Sequence, residues 1–142
     1  QPTDLVYHLG DFSLGRKKAS EYRRRLNGKI VLVQGNHDKS AQREPELWEE
    51  LHTFGTEVIS AGHTFILCHY AMRTWRKAHR GYLHLFAHSH GNMPLYGGSM
   101  DVGVDAVAKL LLPGQYRPLA IEEVIRELNK RPYAPLDHHG RD

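Results

Sequence analysis

Lys29-Ile30-Val31-Leu32-Val33-Gln34 is a short apolar run rich in β-branched residues, and Gly35-Asn36-His37-Asp38 follows it without a break. An apolar run of this length, stopped by glycine, reads as a buried strand, and the polar cluster falls just past its C-terminal end. Upstream, Leu5-Val6-Tyr7-His8-Leu9 has the same character; Gly10 stops it and Asp11 comes next. Between the two runs, Ser20 caps a helix carrying Glu21, Tyr22, Arg23, Arg24, Arg25 and Leu26, closed by Asn27-Gly28. Strand, helix and strand make a βαβ unit, so the fold class is α/β. Sheets of that class collect ligands at the C-terminal ends of their strands.

Further along, Glu44-Pro45 opens a second expected helix through Leu47, Trp48 and Leu51. Strands are then expected at Glu57-Val58-Ile59 and Thr64-Phe65-Ile66-Leu67-Cys68, joined by Ala61-Gly62, and the second of them runs into His69. A polar loop from Tyr70 to Gly81 leads to a strand Tyr82-Leu83-His84-Leu85-Phe86 and then to Ala87-His88-Ser89-His90-Gly91. A last strand lies near Met100-Asp101-Val102-Gly103-Val104, and Pro118 to Lys130 fits an amphipathic helix, with fraying expected from about Arg131.

The bulk properties narrow the class of protein. The 142 residues, 40% hydrophobic and 25% charged, suit one globular domain over 1–142. No run approaches the ~18 apolar residues of a membrane span, and Gln1-Pro2-Thr3-Asp4 has no signal-peptide character, so a cytoplasmic protein without a membrane partner is expected. The single Cys68 forms neither an internal disulfide nor a thiolate zinc site, which leaves eleven histidines as the natural metal ligands. A net charge of +3 and a pI near 9.1 favour small anionic ligands and are too mild to point to nucleic acid.

Asp11, Asn36, His37, His69, His88 and His90 all follow strands, so one sheet edge is expected to assemble them. A carboxylate, an amide oxygen and several imidazoles suit one or two divalent transition-metal ions (manganese, iron, zinc or nickel) better than calcium or magnesium. Two ions ~3.5–4 Å apart, bridged by Asp11, activate a water and clamp a phosphoryl group.

In order and spacing, Gly10-Asp11, Gly35-Asn36-His37-Asp38, His69 and His88-Ser89-His90 resemble the motif set of the calcineurin-like metallophosphoesterase family. Val6 to Ser13 and Asp101 to Asp105 look like a small bacterial or phage-type branch of it. The resemblance implies an αββα sandwich with mixed sheets. It also implies metal-dependent hydrolysis of a small phosphate ester by metal-bound hydroxide. Phosphodiesters are expected slightly over monoesters, because a monoester dianion needs cationic contacts and the only candidates lie in the loop Arg73 to Arg80. An open site is expected to give broad specificity. Asp11 then bridges the metals, Asn36, His69 and His88 complete one site, and His90 belongs to the other. His37 steadies the leaving oxygen and Asp38 orients it.

The chain departs from the family at Ala87, where glycine is usual, and in having no Asp-x-His strand before Gly10. Half of one metal site is therefore absent, and an N-terminally truncated domain that oligomerises by strand or helix exchange is expected. The alternative is a catalytically impaired fold acting as an interaction scaffold.

Among the remaining polar groups, Arg73 and Arg76, in the run Arg73, Trp75, Arg76, Lys77, His79 and Arg80, either grip substrate phosphate or belong to a solvated loop. His8 and His84 are expected to be packed, Arg23-Arg24-Arg25 to be a solvated face, and Asp101 and Asp105 to brace loops. His52, His63, His138 and His139 are expected at the surface.

Overall fold

The computed structural model describes residues 1–15 and 17–132. The expected fraying beyond Pro132, and His138 and His139, lie outside them. β1 (Leu5–His8), β2 (Lys29–Val33) and β3 (Glu50–His52) form a parallel sheet in the order β1-β2-β3. β2 takes the centre because Ile30, Val31, Leu32 and Val33 carry no polar side-chain atom, and each is at most 2% exposed. Alternation divides this strand between two cores. Ile30 and Leu32 pack with Ala19, Ala41 and Trp48, while Val33 joins a larger cluster built on Leu9, Phe65, Leu67, Leu85 and Met100.

α1 (Ala19–Arg23) makes the crossover from β1 to β2 and ends earlier than its sequence pattern suggests. Arg23 is the reason, and it is not the solvated residue expected. Its guanidinium donates to the carbonyls of Leu26 (2.9 Å), Gly28 (2.6 Å) and Leu47 (3.3 Å), fastening the chain that follows the helix. After Asp38 comes α2 (Lys39–Gln42), one turn that was not expected.

The helix expected from Glu44 to Leu51 is replaced by a single 3-10 turn at Pro45–Leu47 and by β3. Trp48 becomes extended (φ −112°, ψ 142°) and buries its ring, donating its indole N–H to the Ala41 carbonyl at 3.0 Å. Leu51 then pairs with Leu32. Sheet pairing to a buried central strand overrides a local helical pattern of this length.

β4 (Gly55–Ser60), β5 (His63–Cys68), β6 (Leu83–Phe86) and β7 (Ser99–Asp101) form a mixed sheet in sequence order. β4 and β5 are antiparallel, while β6 and β7 continue parallel to β5. The expected Ala61-Gly62 turn is present, with φ of 48° and 76°, the geometry of a tight hairpin. The strand expected to reach Val104 stops at Asp101, and α3 (Val104–Leu110) begins instead. Gly103 stands at its N-cap, and Ala106, Val107 and Ala108 are buried, so the small apolar residues serve a helix face. α4 (Ile121–Leu128) lies inside the expected Pro118 to Lys130 segment and packs Val124 and Leu128 into the larger core.

His84 is packed, as expected. Its Nδ1–H donates to the Ile66 carbonyl at 2.9 Å and its Nε2 accepts from the Met72 N–H at 3.0 Å, which fastens the loop after β5 to β6. Burial holds its pKa below the ordinary histidine value. The chain is thus α/β with one parallel and one mixed sheet, and no described helix is long and apolar enough to cross a membrane.

Arg117 grips Glu123 at the start of α4 with a two-pronged ion pair of 2.9 and 2.6 Å, and Glu123 also accepts the Ala120 N–H at 2.9 Å. The Arg117 hydrogen bonds hold the Glu123 carboxyl down to about 2, against an ordinary 4.5. The folded value is depressed, so the pair's contribution to α4 is complete above about pH 4.5 and is lost as the pH falls through about 2. Arg117→Ala is expected to return the Glu123 carboxyl towards 4.5 in a carbon-detected NMR titration.

Candidate metal centre

Two loops from the parallel sheet and two from the mixed sheet meet at one place. Asp11 follows β1, Asn36 follows β2, His69 follows β5 directly, and His88 lies two residues past β6. The expectation of a single sheet edge is corrected here, because the strands that deliver these residues are divided between two sheets.

His69 is the hub and is 1% exposed. Its Nδ1 lies 2.6 Å from the Leu9 carbonyl, and a carbonyl only accepts, so Nδ1 carries the proton. In the neutral ring Nε2 then presents a bare lone pair. Around it stand the Asn36 Oδ1 at 3.1 Å, the His88 Nδ1 at 3.1 Å and the Asp11 Oδ2 at 3.5 Å. Donor atoms of Asp11, His69 and His88 all fall within 4.8 Å of one another. A carboxylate oxygen, an amide oxygen and imidazole nitrogens converge on one point, an arrangement that favours a cation between them.

The loops are held by Asp38, which is 2% exposed. Its Oδ2 accepts the N–H groups of Asp11 (2.7 Å) and Gly35 (2.8 Å), and its Oδ1 accepts that of Phe12 (2.7 Å). Both oxygens are thus engaged by backbone, and neither bonds to the His37 ring. Asp38 is a clamp between two loops rather than the expected orienting partner. His37 is exposed, and its backbone N–H donates to Asp11 Oδ1 at 3.0 Å, which places its side chain at the rim of the cluster.

The glycines permit this closeness. A methyl group on Gly10 would lie 2.5 Å from both the Gly35 nitrogen and the His69 Nδ1. Three non-glycine residues adopt left-handed backbone here, Asp11 (φ 57°), His88 (φ 56°) and His90 (φ 50°). Such residues cost energy and gather at functional sites. Ala87 has no positive φ, so its methyl group is accommodated where the family's glycine would stand.

The structure does not bring every candidate together. His90 is 64% exposed, and its Nδ1 bonds to Asp105, which raises its pKa above the ordinary value. Asp101 behaves as the expected brace, 2% exposed and accepting the N–H groups of Gly91 and Gly103, each at 3.0 Å. Arg76 pairs with Glu57 on β4, and Arg73 is exposed. His8 is packed edge-on against Phe12, with ring centres 5.1 Å apart, and is not among the converging donors. Two contributors were missed in the sequence: the Leu9 carbonyl, a backbone group without a side-chain signal, and Tyr70, whose ring meets those of His69 and His88 at 4.9 and 4.8 Å.

No family model matches the chain. It is 28% identical over 138 residues to the uncharacterized protein MJ1445 of Methanocaldococcus jannaschii, a match spanning 89% of this chain and 67% of that one. It is also similar to the crystal structure of AQ665, a protein of unknown function from Aquifex aeolicus, with a TM-score of 0.62 and 25% identity over 89% of this chain and 77% of that chain.

Removing the clamp strands half-buried donors. Asp38→Ala leaves the Asp11, Phe12 and Gly35 N–H groups without their acceptor. The expected cost is about 3 kcal/mol or more in urea denaturation, since each stranded donor costs on the order of 1–3 kcal/mol.

Proposed function

We propose that this chain is a metal-dependent phosphoester hydrolase of the calcineurin-like type, with one ion held by Asp11, Asn36, His69 and His88. The observation that carries the proposal is the Asp11 carboxylate oxygen facing the His69 Nε2 at 3.5 Å, with the Asn36 oxygen at 3.1 Å. This mixed oxygen and nitrogen set fits manganese, iron, zinc or nickel. A bound ion supplies Lewis acidity to a phosphoryl oxygen and lowers the pKa of a coordinated water.

The chain's own groups do the rest. His37, at the exposed rim, is placed to give a proton to the departing oxygen. Asp38 keeps that loop at a fixed distance from Asp11. His90, the expected ligand of a second ion, is engaged by Asp105, so a second ion there requires that pair to open. Diesters suit the site better than monoester dianions, which need extra cationic contacts. Of the described residues, Arg76 is committed to Glu57, and Arg117, which borders the groove beside the cluster, is committed to Glu123. In the same proposal the parallel and mixed sheets are the two halves of the family's sandwich.

Purified protein, stripped with chelator and reloaded with manganese or zinc, is expected to hydrolyse bis(p-nitrophenyl) phosphate faster than the monoester. Asp11→Ala and His69→Ala are expected to lower the metal-dependent rate by about 100-fold or more. Absence of turnover from folded, metal-loaded protein would overturn the proposal in favour of an interaction scaffold.

A further inference from the structure

Glu57, Ile66, His84 and Ser99 are register partners on the successive strands β4 to β7, so they form one row across one face of the mixed sheet. Phe65, Leu67 and Leu85 alternate with this row and belong to the larger core. The row therefore looks away from that core, and the segment that leaves β5 after His69 folds back over it. Arg76 of this segment pairs with Glu57. Trp75, 7% exposed, sets its ring centre 5.4 Å from that of His84 and donates its indole N–H to the Tyr82 carbonyl at 2.7 Å.

His84 ties the start of this segment to the sheet. It is buried, its Nδ1–H donates to the Ile66 carbonyl, and its Nε2 accepts from the Met72 N–H at 3.0 Å. A backbone N–H only donates, so this bond needs a bare Nε2, and burial keeps the ring in that neutral form. One residue separates Met72 from Tyr70, which leaves few dihedrals to absorb a shift of the tethered amide. The Tyr70 ring in turn meets those of His69 and His88 edge-on, at 4.9 and 4.8 Å. His69 is also oriented by the Leu9 carbonyl, whereas His88 is exposed and sits on left-handed backbone, so His88 depends on Tyr70 the more.

We propose that His84 is a positioning residue for the metal cluster: it tethers Met72, the tether fixes Tyr70, and the Tyr70 ring holds His69 and His88 with their nitrogens converging. Imidazoles that bind a metal are commonly oriented by groups that never touch the ion. His84 acts in this way at one further remove, from the opposite face of the sheet. As a statement about metal binding this rests on the cluster being a metal site, whereas the tether itself is open to test in metal-free protein.

Two replacements separate the two bonds of His84. Asparagine reaches only as far as Nδ1 and keeps a donor for the Ile66 carbonyl, while glutamine reaches as far as Nε2 and keeps an acceptor for the Met72 N–H. In metal-free protein, His84→Asn is expected to move the imidazole NMR resonances of His88, and to a lesser extent those of His69, towards their positions in Tyr70→Ala. His84→Gln is expected to leave them near the parent's. Made on top of Tyr70→Ala, His84→Asn is expected to move them no further. Cobalt(II) binding is expected to weaken about 10-fold in His84→Asn and to recover in His84→Gln. Refutation would come from His88 resonances that ignore His84→Asn, from equal movement in the Tyr70→Ala background, or from a cobalt(II) affinity untouched by the change. It would come equally from a Met72 amide that exchanges with solvent in the parent as fast as exposed loop amides, a measurement that needs no variant to fold. A parent that binds no cobalt(II) yet shows the NMR coupling would uphold the tether and refute the metal site.

Discussion

The Asp38 carboxylate bonded to three backbone N–H groups is the contact on which the rest of the cluster depends. Two loops leave neighbouring parallel strands, and both are short and rich in glycine and polar residues. A single buried carboxylate joins them by accepting from Asp11, Phe12 and Gly35 at 2.7–2.8 Å. Charged acceptors make the stronger backbone hydrogen bonds, and here they act where the main chain is least supported. Because Gly10 and Gly35 lack side chains, the clamp draws the loops against the His69 ring rather than against each other's Cβ atoms.

His69 then receives its orientation from two sides. The Leu9 carbonyl fixes which nitrogen carries the proton, and the rings of Tyr70 and His88 limit its rotation. The free lone pair is aimed at the Asp11 and Asn36 oxygens by the fold itself. The mixed sheet contributes imidazoles and the parallel sheet contributes oxygens, so the chemistry of the cluster follows from the meeting of two sheets.

Much of this was legible in the sequence, for a physical reason. β2 is apolar on both faces and ends at glycine, which specifies a central strand however the rest folds. The residues Asp11, Asn36, His69 and His88 were legible because each follows a largely apolar strand, two of which end at glycine. β3 was hidden because Leu47, Trp48 and Leu51 carry a helical spacing, and only pairing with Leu32 decides against it. α3 was hidden because Val102-Gly103-Val104 continues the apolar character of β7. The roles of Asp38, Arg23 and the Leu9 carbonyl were invisible, since all three act on or through the main chain, and a sequence shows side chains.

The left-handed backbone at Asp11 and His88 sets a second condition on those positions besides donor chemistry. A replacement must both offer a lone pair and tolerate positive φ. Glycine meets the conformational demand and loses the donor, while glutamate keeps the charge but suits the backbone less well. Aspartate, asparagine and histidine pass both filters, so exchange at these two positions is confined largely to those three. A wider change of ligand set has to begin by rebuilding the turns that carry it.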